Sequence, residues 1–404
     1  MLMSRIGPSL DLDSYYSVIG APLSFIGVIT VASNYLIPAL LVFENEKIFQ
    51  IKNHAGNLLI AFILASLISL VIFTIYFCLT NQFYSNTIGS TSSFYSAIIL
   101  SCLAAFFSML TTIFSAIGIA CGKVIGSVLI TPLPQLATLL YLIINADPQI
   151  FSMLVVLAVS FLLQATIVGC FFWNYWTIST VSIKRVSQIL LLVLPTSLGA
   201  LCFSSYSAID AVLSPSLGVG VMSYQAFSQR IVIAIGSVLS IGPFLLSPNL
   251  ISSLLINEDY FILWLHLKKI FLYLISSCCL GALLIFSIGP FIFGRLFQHG
   301  NFASSDVRAV VEITSILLIG AGSMLSVAIV FRVLFALHKF KIIVILGLGW
   351  TLMYGLIGFF LSYSANRNIL AISYTITWTL FFIVAVIYMW KLLELLDLNT
   401  PDSY

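Results

Sequence analysis

The stretch ITSILLIGAGSMLSVAIVF, residues 313–331, decides the fold of this chain. It contains no charged side chain and lies between Glu312 and Arg332. As an α-helix it would be about 28 Å long, close to the thickness of the hydrocarbon core of a bilayer. An apolar run of this length predicts a membrane-spanning helix, which we place at residues 308–336.

Similar runs recur along all 404 residues, in which 61% are hydrophobic types and only 7% are charged. A soluble domain is about half apolar and a quarter charged, so the composition predicts an all-α polytopic membrane protein instead. Apolar length and breaker residues place about eleven transmembrane helices, at 17–43, 56–80, 94–119, 124–145, 149–174, 187–213, 218–255, 269–293, 308–336, 342–363 and 369–393. We expect the sixth to break at Ser214-Pro215, and the seventh to kink or break at Pro243 and Pro248.

Lysine and arginine are distributed unequally between the two sides of these helices. The connections after odd-numbered helices, together with the C-terminus, carry ten of them, and the opposite side carries four: Arg5, Arg295, Arg308 and Arg367. Because cytoplasmic loops are enriched in positive charge, the count predicts a cytoplasmic C-terminus. With eleven helices, the N-terminus is then outside.

Two short sequences recur at an interval of six helices. Ser-Met-Leu occurs at 108–110 and at 323–325, and Pro followed two residues later by Leu-Leu occurs at 38–41 and at 243–246. An even interval preserves the orientation of a segment in the membrane. The pattern therefore predicts parallel repeats, as in secondary transporters whose substrate site lies between two halves.

The sequence offers little support for an enzyme. The seven cysteines form no CxxC pair and have no histidine at metal-ligand spacing, and neither a P-loop nor a Ser/His/Asp arrangement is evident. No basic run or basic-aromatic stripe indicates nucleic acid as a partner. We therefore predict no catalytic residue, no cofactor and no metal site.

Two charged residues lie within apolar runs, where a charge is expensive and usually faces a bundle interior or a wet cavity. Asp210 follows the polar run 204–207, and two interpretations stay open: a cavity residue coupled to ions, or a helix-end carboxylate at the water interface. Arg230 lies about a dozen residues into the seventh predicted helix. Its planar guanidinium suits phosphate oxygens, although a structural ion pair is the alternative. Elsewhere, the spacing of Arg308 and Glu312 predicts an i,i+4 ion pair.

Three stretches and one short segment carry a family resemblance. Residues 207–248 contain a helix ending in an aspartate, a glycine turn, a tyrosine, Arg230 and a final Leu-Leu-Ser-Pro. Residues 294–306 contain Leu-Phe-Gln-His-Gly-Asn-Phe followed by Ser-Asp, and 332–336 read Arg-Val-Leu-Phe-Ala. Together with Asp13 and the two tyrosines after it, they resemble the MurJ/MviN family of lipid II flippases, within the multidrug/oligosaccharidyl-lipid/polysaccharide exporter superfamily.

The resemblance implies two pseudo-symmetric lobes around a central cleft, 1–181 with five helices and 182–404 with six. It implies a non-enzymatic flippase that moves lipid II across the bacterial inner membrane by alternating access, for peptidoglycan synthesis and cell shape. Arg230 would take the phosphates of the lipid-linked sugar diphosphate. Asp13 and Arg332 would be further substrate-binding residues, as gate or ion-coupling groups, and Asp210 a cavity or ion-coupling residue. The partners would be the substrate, membrane lipid and a monovalent ion, with an ion gradient or the membrane potential as driving force rather than ATP.

The sequence also departs from this family. We expect the family's first helix and its last two helices to be absent, and Ser24-Phe25-Ile26-Gly27 stands where the family has an arginine pair. The absent first helix agrees with eleven helices and an outside N-terminus. Three alternatives stay open: a flippase for an O-antigen or capsule unit, a drug or cation exporter of the same superfamily, and a non-transporting membrane scaffold. A membrane glycosyltransferase is disfavoured because no carboxylate cluster is evident.

Overall fold

The computed structural model describes residues 91–120, 133–145, 150–171, 205–298, 300–337, 339–364 and 366–398, with short pieces at 8–9, 12–13, 15–16 and 202–203 and single residues or pairs within 57–67 and 182–191. Over these residues the protein is helical, with nine α-helices and no strand. The all-α prediction is therefore confirmed for this part of the chain.

The helices are long because their sequences are apolar and carry few internal breakers. In chain order they are α1 (Thr91–Ala120), α2 (Leu133–Ile144), α3 (Ile150–Phe171), α4 (Tyr206–Leu217), α5 (Val221–Ile256), α6 (Tyr260–Phe297), α7 (Ser304–Ala336), α8 (Phe340–Ser362) and α9 (Ile369–Leu398). Among the described residues, six helices (α1, α3, α6, α7, α8 and α9) contain a segment long and apolar enough to cross a membrane.

Several predicted helix bounds agree well with the structure, whereas α6 begins nine residues before its predicted span of 269–293 and ends four residues after it. The spans predicted at 149–174 and 308–336 correspond to α3 and α7, whose ends differ by four residues or fewer. The first two predicted spans, 17–43 and 56–80, lie almost entirely outside the described residues. The total of eleven helices therefore stays a prediction.

Helix α5 is continuous through Pro243 and Pro248, so of the kink or break predicted there only the kink stays a prediction. The break predicted at Ser214-Pro215 was wrong in position, because helix α4 continues through Pro215 and ends at Leu217. The break lies instead at Gly218 and Gly220, whose φ angles of 119° and 86° suit glycine. Pro215 is tolerated because it lies in the last turn of α4, where the loss of one backbone hydrogen bond costs little.

The chain forms two compact units. The first contains residues 10–212, and the second contains residues 213–404 together with residues 3–9. In the first unit, α3 packs against both α1 and α2. In the second, α7 packs against α5, α6, α8 and α9. A two-lobed helical architecture is thus present, while the lobe boundary at residue 181, which follows from the family's helix count, stays a prediction.

A buried amide in the first unit supports the predicted order of its connections. The side-chain carbonyl of Asn57 accepts a 2.8 Å hydrogen bond from the backbone N–H of Ser182. Asn57 lies at the start of the second predicted helix and Ser182 follows the fifth, and the hydrogen bond brings these two described residues together. Alternating helices require these two positions to lie at the same end.

Two glycines bring neighbouring helices close to α7. A Cβ on Gly320 would lie 2.8 Å from the Cα of Thr375 in α9, and a Cβ on Gly322 would lie 3.0 Å from the Cα of Ile275 in α6. The Thr375 hydroxyl also donates a 2.7 Å hydrogen bond to the carbonyl of Ile316. Close approach at glycine and hydrogen bonds between helices are characteristic of packing within membranes.

Candidate functional site

Helices α5 and α7 begin at the same end of the second unit and are joined there by two hydrogen bonds. The Tyr224 hydroxyl donates to Oδ1 of Asp306 at 2.7 Å, and the Ser228 hydroxyl donates to the backbone carbonyl of Val310 at 3.3 Å. Both bonds join residues 82 apart in sequence, so the two helices run parallel with one register. They connect two of the stretches that carry the family resemblance.

Asp306 is buried, with 8% of its surface exposed, and both of its carboxylate oxygens accept hydrogen bonds. The second oxygen, Oδ2, accepts from the backbone N–H of Ala303 at 2.7 Å. Asp306 lies in the first turn of α7, where a negative charge is favourable beside the unpaired N–H groups of the helix. A single carboxylate thus stabilises the start of α7 and binds α5.

Most residues of the stretch 294–306, which carries part of the family resemblance, have a structural role in the loop before α7. Gly300 has a φ of 66°, and the side chain of Phe302 is buried. The ring of Phe297 packs edge-to-face against Phe227 of α5, with centroids 5.2 Å apart, and against Phe293 at 5.7 Å. These residues hold the start of α5 against the end of α6.

Arg230 lies on the face of α5 that points away from α7. It follows Ser228 by two residues, which is about 200° around an α-helix, and its side chain is exposed. It lies about 14 Å along the helix from Val221, where α5 begins. In the second unit, this arginine therefore lies on an exposed face of α5, well inside the helix rather than at its end.

Arg332 lies at a different depth in the same unit. It is half-buried, four residues before the end of α7 at Ala336. The offset between α5 and α7 is 82 at the two hydrogen bonds and 89 at the contact of Gly236 with Leu325, which places Arg332 roughly 20–30 Å further along the helix axis than Arg230. The structure does not bring these two candidate residues together.

Asp13 belongs to the first unit and is half-buried in a short helical piece. Leu12, Tyr15 and Tyr16 are buried beside it, and the two tyrosine rings meet edge-to-face at 5.4 Å. Buried residues at this spacing define one helix face. Asp13 lies at the margin of that face.

Asp210 is the most deeply buried of the four candidate residues, with 1% of its surface exposed. Ser207 and Ser214, three residues before it and four after it on α4, are buried as well. Residues at this spacing share a helix face, so α4 has a buried polar stripe with a carboxylate at its centre. The carboxylate is thus enclosed by protein, and both interpretations from sequence, a cavity residue coupled to ions and a helix-end carboxylate at the water interface, stay predictions.

The prediction that Glu312 pairs with Arg308 was wrong. Glu312 instead accepts a 2.9 Å hydrogen bond from the guanidinium of Arg367, and Asn368 also approaches it at 3.4 Å. These partners lie just before α9, some 55 residues away in sequence, where helix periodicity gives no indication of them. Within the described residues, no group of three His, Cys, Asp or Glu side chains is arranged to hold a metal ion.

The Tyr224–Asp306 hydrogen bond was missed by the sequence reasoning. Both residues belong to stretches that resemble the family, and that shared membership was the only available signal. A hydrogen bond between two helices 82 residues apart cannot be read from the periodicity of either one. The tertiary register of α5 against α7 had to be known first.

No protein-family profile matches the sequence, and no curated protein matches it. Several solved structures do match. The lipid II flippase MurJ in an inward closed conformation has a TM-score of 0.72 and 16% identity, and the match covers 97% of this chain and 83% of that one. A multidrug resistance MATE family transporter of the MOP superfamily, facing inward, has a TM-score of 0.70 and 15% identity, with 98% of both chains covered. A MOP superfamily transporter from Pyrococcus furiosus, described as having a binding pocket of reverse polarity, has a TM-score of 0.64 and 14% identity, with 98% of this chain and 88% of that one covered.

At these identities the likeness establishes the fold. The chain has the fold shared by the MurJ flippase and the MATE transporters, and the resemblance expected from its sequence is confirmed at that level. The structures it matches are membrane transporters. With six described helices long and apolar enough to cross a membrane, this chain is a multi-pass membrane protein.

Proposed function

We propose that this protein is a flippase that moves a polyprenyl-diphosphate-linked cell-wall precursor, lipid II, across the bacterial inner membrane by alternating access. The observation that carries the proposal is the fold likeness to the lipid II flippase MurJ over 97% of the chain. The exposed arginine on α5 supports it, because a diphosphate headgroup needs positive charge along its route.

The hydrocarbon core of the bilayer is a barrier to the headgroup of such a substrate. Its sugars and phosphates are strongly hydrated, and hydrocarbon offers them no hydrogen bonds, whereas the polyprenyl chain is already soluble in lipid. In the proposed mechanism Arg230 binds the phosphates through its planar fork while the chain stays in the bilayer. The protein thereby provides the headgroup with polar contacts in place of those it makes with water.

The remaining candidates take separate roles in this proposal. Arg332, roughly 20–30 Å from Arg230 along the helix axis, acts as a gate residue at the cytoplasmic end rather than as a second ligand of the same diphosphate. Asp13 and Asp210 couple transport to a monovalent ion. The driving force is an ion gradient or the membrane potential.

A second candidate function is export of drugs or organic cations. The observation that favours it is the match to a MATE transporter, which covers 98% of each chain. The buried carboxylate of Asp210 would suit a cationic substrate or its coupling ion. A flippase for another lipid-linked oligosaccharide and a non-transporting scaffold are the further alternatives.

Complementation tests the proposal directly. The chain is expressed in a bacterium depleted of its own lipid II flippase, and colony formation is compared for wild type, Arg230→Ala and Arg295→Ala. Arg295 is the matched control, because it is an exposed arginine near the end of α6 that stacks on Phe291 at 4.8 Å. Loss of a charge-assisted contact of about 1.5–3 kcal/mol should reduce transport about ten- to a hundredfold in Arg230→Ala, with little change in the control.

Each alternative predicts another outcome. Normal growth of Arg230→Ala, at wild-type protein levels in the membrane, would overturn the site. Rescue of an O-antigen flippase mutant alone would favour that substrate, and raised resistance to cationic dyes would favour an exporter. Failure in all three assays, with no binding of polyprenyl diphosphate by the purified protein, would favour a scaffold.

A further inference from the structure

We propose that Tyr224 and Asp306 are positioning residues that hold Arg230 at its depth and direction on α5. The inference rests on the proposed function of Arg230 as the phosphate ligand. The two residues touch neither the substrate nor the arginine in this scheme. They act on the helix that carries it.

The first part of the argument concerns rotation of α5 about its own axis. Tyr224 and Ser228 are one turn apart and both donate to α7, so they define the face of α5 that meets α7. Arg230 lies roughly opposite that face. Any rotation that turned Arg230 toward α7 would withdraw both hydroxyl groups from their acceptors. The direction of the guanidinium is therefore coupled to these two bonds.

The second part concerns sliding of α5 along its axis. Both hydrogen bonds span the same 82 residues, so a shift of one helical turn, about 5.4 Å, would break both at once. Asp306 resists such a shift because its other oxygen is held by the N–H of Ala303, which keeps the carboxylate at the start of α7. The acceptor for Tyr224 is thus held by a contact at the start of α7 that does not involve α5.

The third part concerns what remains when the hydroxyl is removed. The Phe227–Phe297 and Phe293–Phe297 contacts hold the same end of α5 through apolar surface, and a phenylalanine at 224 keeps the ring of the tyrosine. Tyr224→Phe should therefore fold and insert. It removes the hydrogen bond to Asp306 and keeps the aromatic ring, which makes it a conservative test of positioning.

The experiment measures the position of residue 230 without any substrate. In a chain whose seven cysteines are replaced, Arg230→Cys is introduced, and its rate of modification by a charged methanethiosulfonate reagent is measured with and without Tyr224→Phe. The control is Tyr363→Phe, which removes the hydroxyl from an exposed tyrosine after α8. Tyr224→Phe should change the rate by at least about threefold, as coupled residues do, and Tyr363→Phe should leave it unchanged. An unchanged rate with Tyr224→Phe would overturn the proposal.

A second readout separates this inference from the proposed function. In the native background, Tyr224→Phe and Asp306→Ala should each reduce complementation, and the double variant should be no worse than the poorer single one, because each removes the hydrogen bond between the two side chains. Wild-type growth of both variants, where Arg230→Ala does not grow, would overturn the positioning role. If the modification rate changes but even the wild-type chain fails to complement, the positioning geometry stands and the lipid II proposal fails.

Discussion

Helices α6 and α7 are adjacent in sequence, similar in length and nearly equal in mean hydropathy, yet they occupy opposite environments. Only 22% of the most apolar part of α6 is buried within the protein, against 78% of that of α7. Helix α7 packs against four neighbours in its unit, whereas α6 exposes large side chains such as Leu283 and Phe286 along its length. Hydropathy therefore identifies a membrane helix without saying which solvent, lipid or protein, surrounds it.

The difference lies in the size and polarity of the side chains that α7 presents. Its buried face contains Thr314, Ser323 and Ser326, and its two glycines admit the backbones of α6 and α9. In lipid there is no hydrophobic force between helices, so small residues that permit close packing decide which helix is enclosed. Helix α6 lacks such a face on its exposed side, where large apolar residues suit contact with acyl chains.

The largest expected effect comes from truncating equivalent leucines in the two helices. Leu317 of α7 is 0% exposed and Leu283 of α6 is 65% exposed. Leu317→Ala should destabilise the protein by about 2–5 kcal/mol through the cavity it leaves, and Leu283→Ala should change stability by less than about 0.5 kcal/mol. Thermal unfolding in detergent, followed by size-exclusion chromatography, measures both. Equal losses of stability would show that burial does not distinguish these helices.

A smaller effect is expected from adding one methyl group to a glycine of each helix. In Gly320→Ala the new Cβ would meet the backbone of Thr375 at 2.8 Å, so α7 and α9 must separate, at a cost of about 1–3 kcal/mol. Gly281→Ala in α6 would meet only the end of the Leu318 side chain, at 4.0 Å, and should be neutral or slightly stabilising because alanine favours helix. The same unfolding assay compares the pair. A melting temperature for Gly320→Ala at or above that of Gly281→Ala would contradict the close packing of α7 with α9.

The smallest effect is expected at the ion pair between α7 and the connection before α9. Glu312 and Arg367 are 39% and 42% exposed, so solvent screens their interaction and Arg367→Gln should cost no more than about 1 kcal/mol. That small loss should shrink further at high salt. Unfolding at low and high ionic strength provides the measurement, with Arg308→Gln as the control for loss of a charge alone. A larger loss from Arg308→Gln would favour the ion pair that sequence spacing had predicted.

Much of the fold could be predicted from local sequence, because the length of an apolar run determines where a membrane helix lies. Helix α8 was predicted at 342–363 and is observed at Phe340–Ser362, and α9 was predicted to begin at the residue where it does begin. The errors fall where a breaker or a charged pair was given too much weight, as at Pro215 and at Lys268-Lys269, which lie inside α4 and α6. A proline in the last turn removes little, whereas Gly218 and Gly220 supply the φ angles that the turn requires.

For the candidate site, too, some features could be predicted from sequence and others could not. The sequence by itself determined a polytopic helical protein, the rarity of its embedded charges and the identity of Arg230 and Asp210 as residues to explain, because a charge within a long apolar run is visible from composition and position alone. Only the tertiary structure decided that Asp210 is buried, that Glu312 pairs with Arg367, and that Tyr224 meets Asp306. Those contacts join residues that are distant in the chain or depend on how helices rotate against one another, and helix periodicity contains neither kind of information.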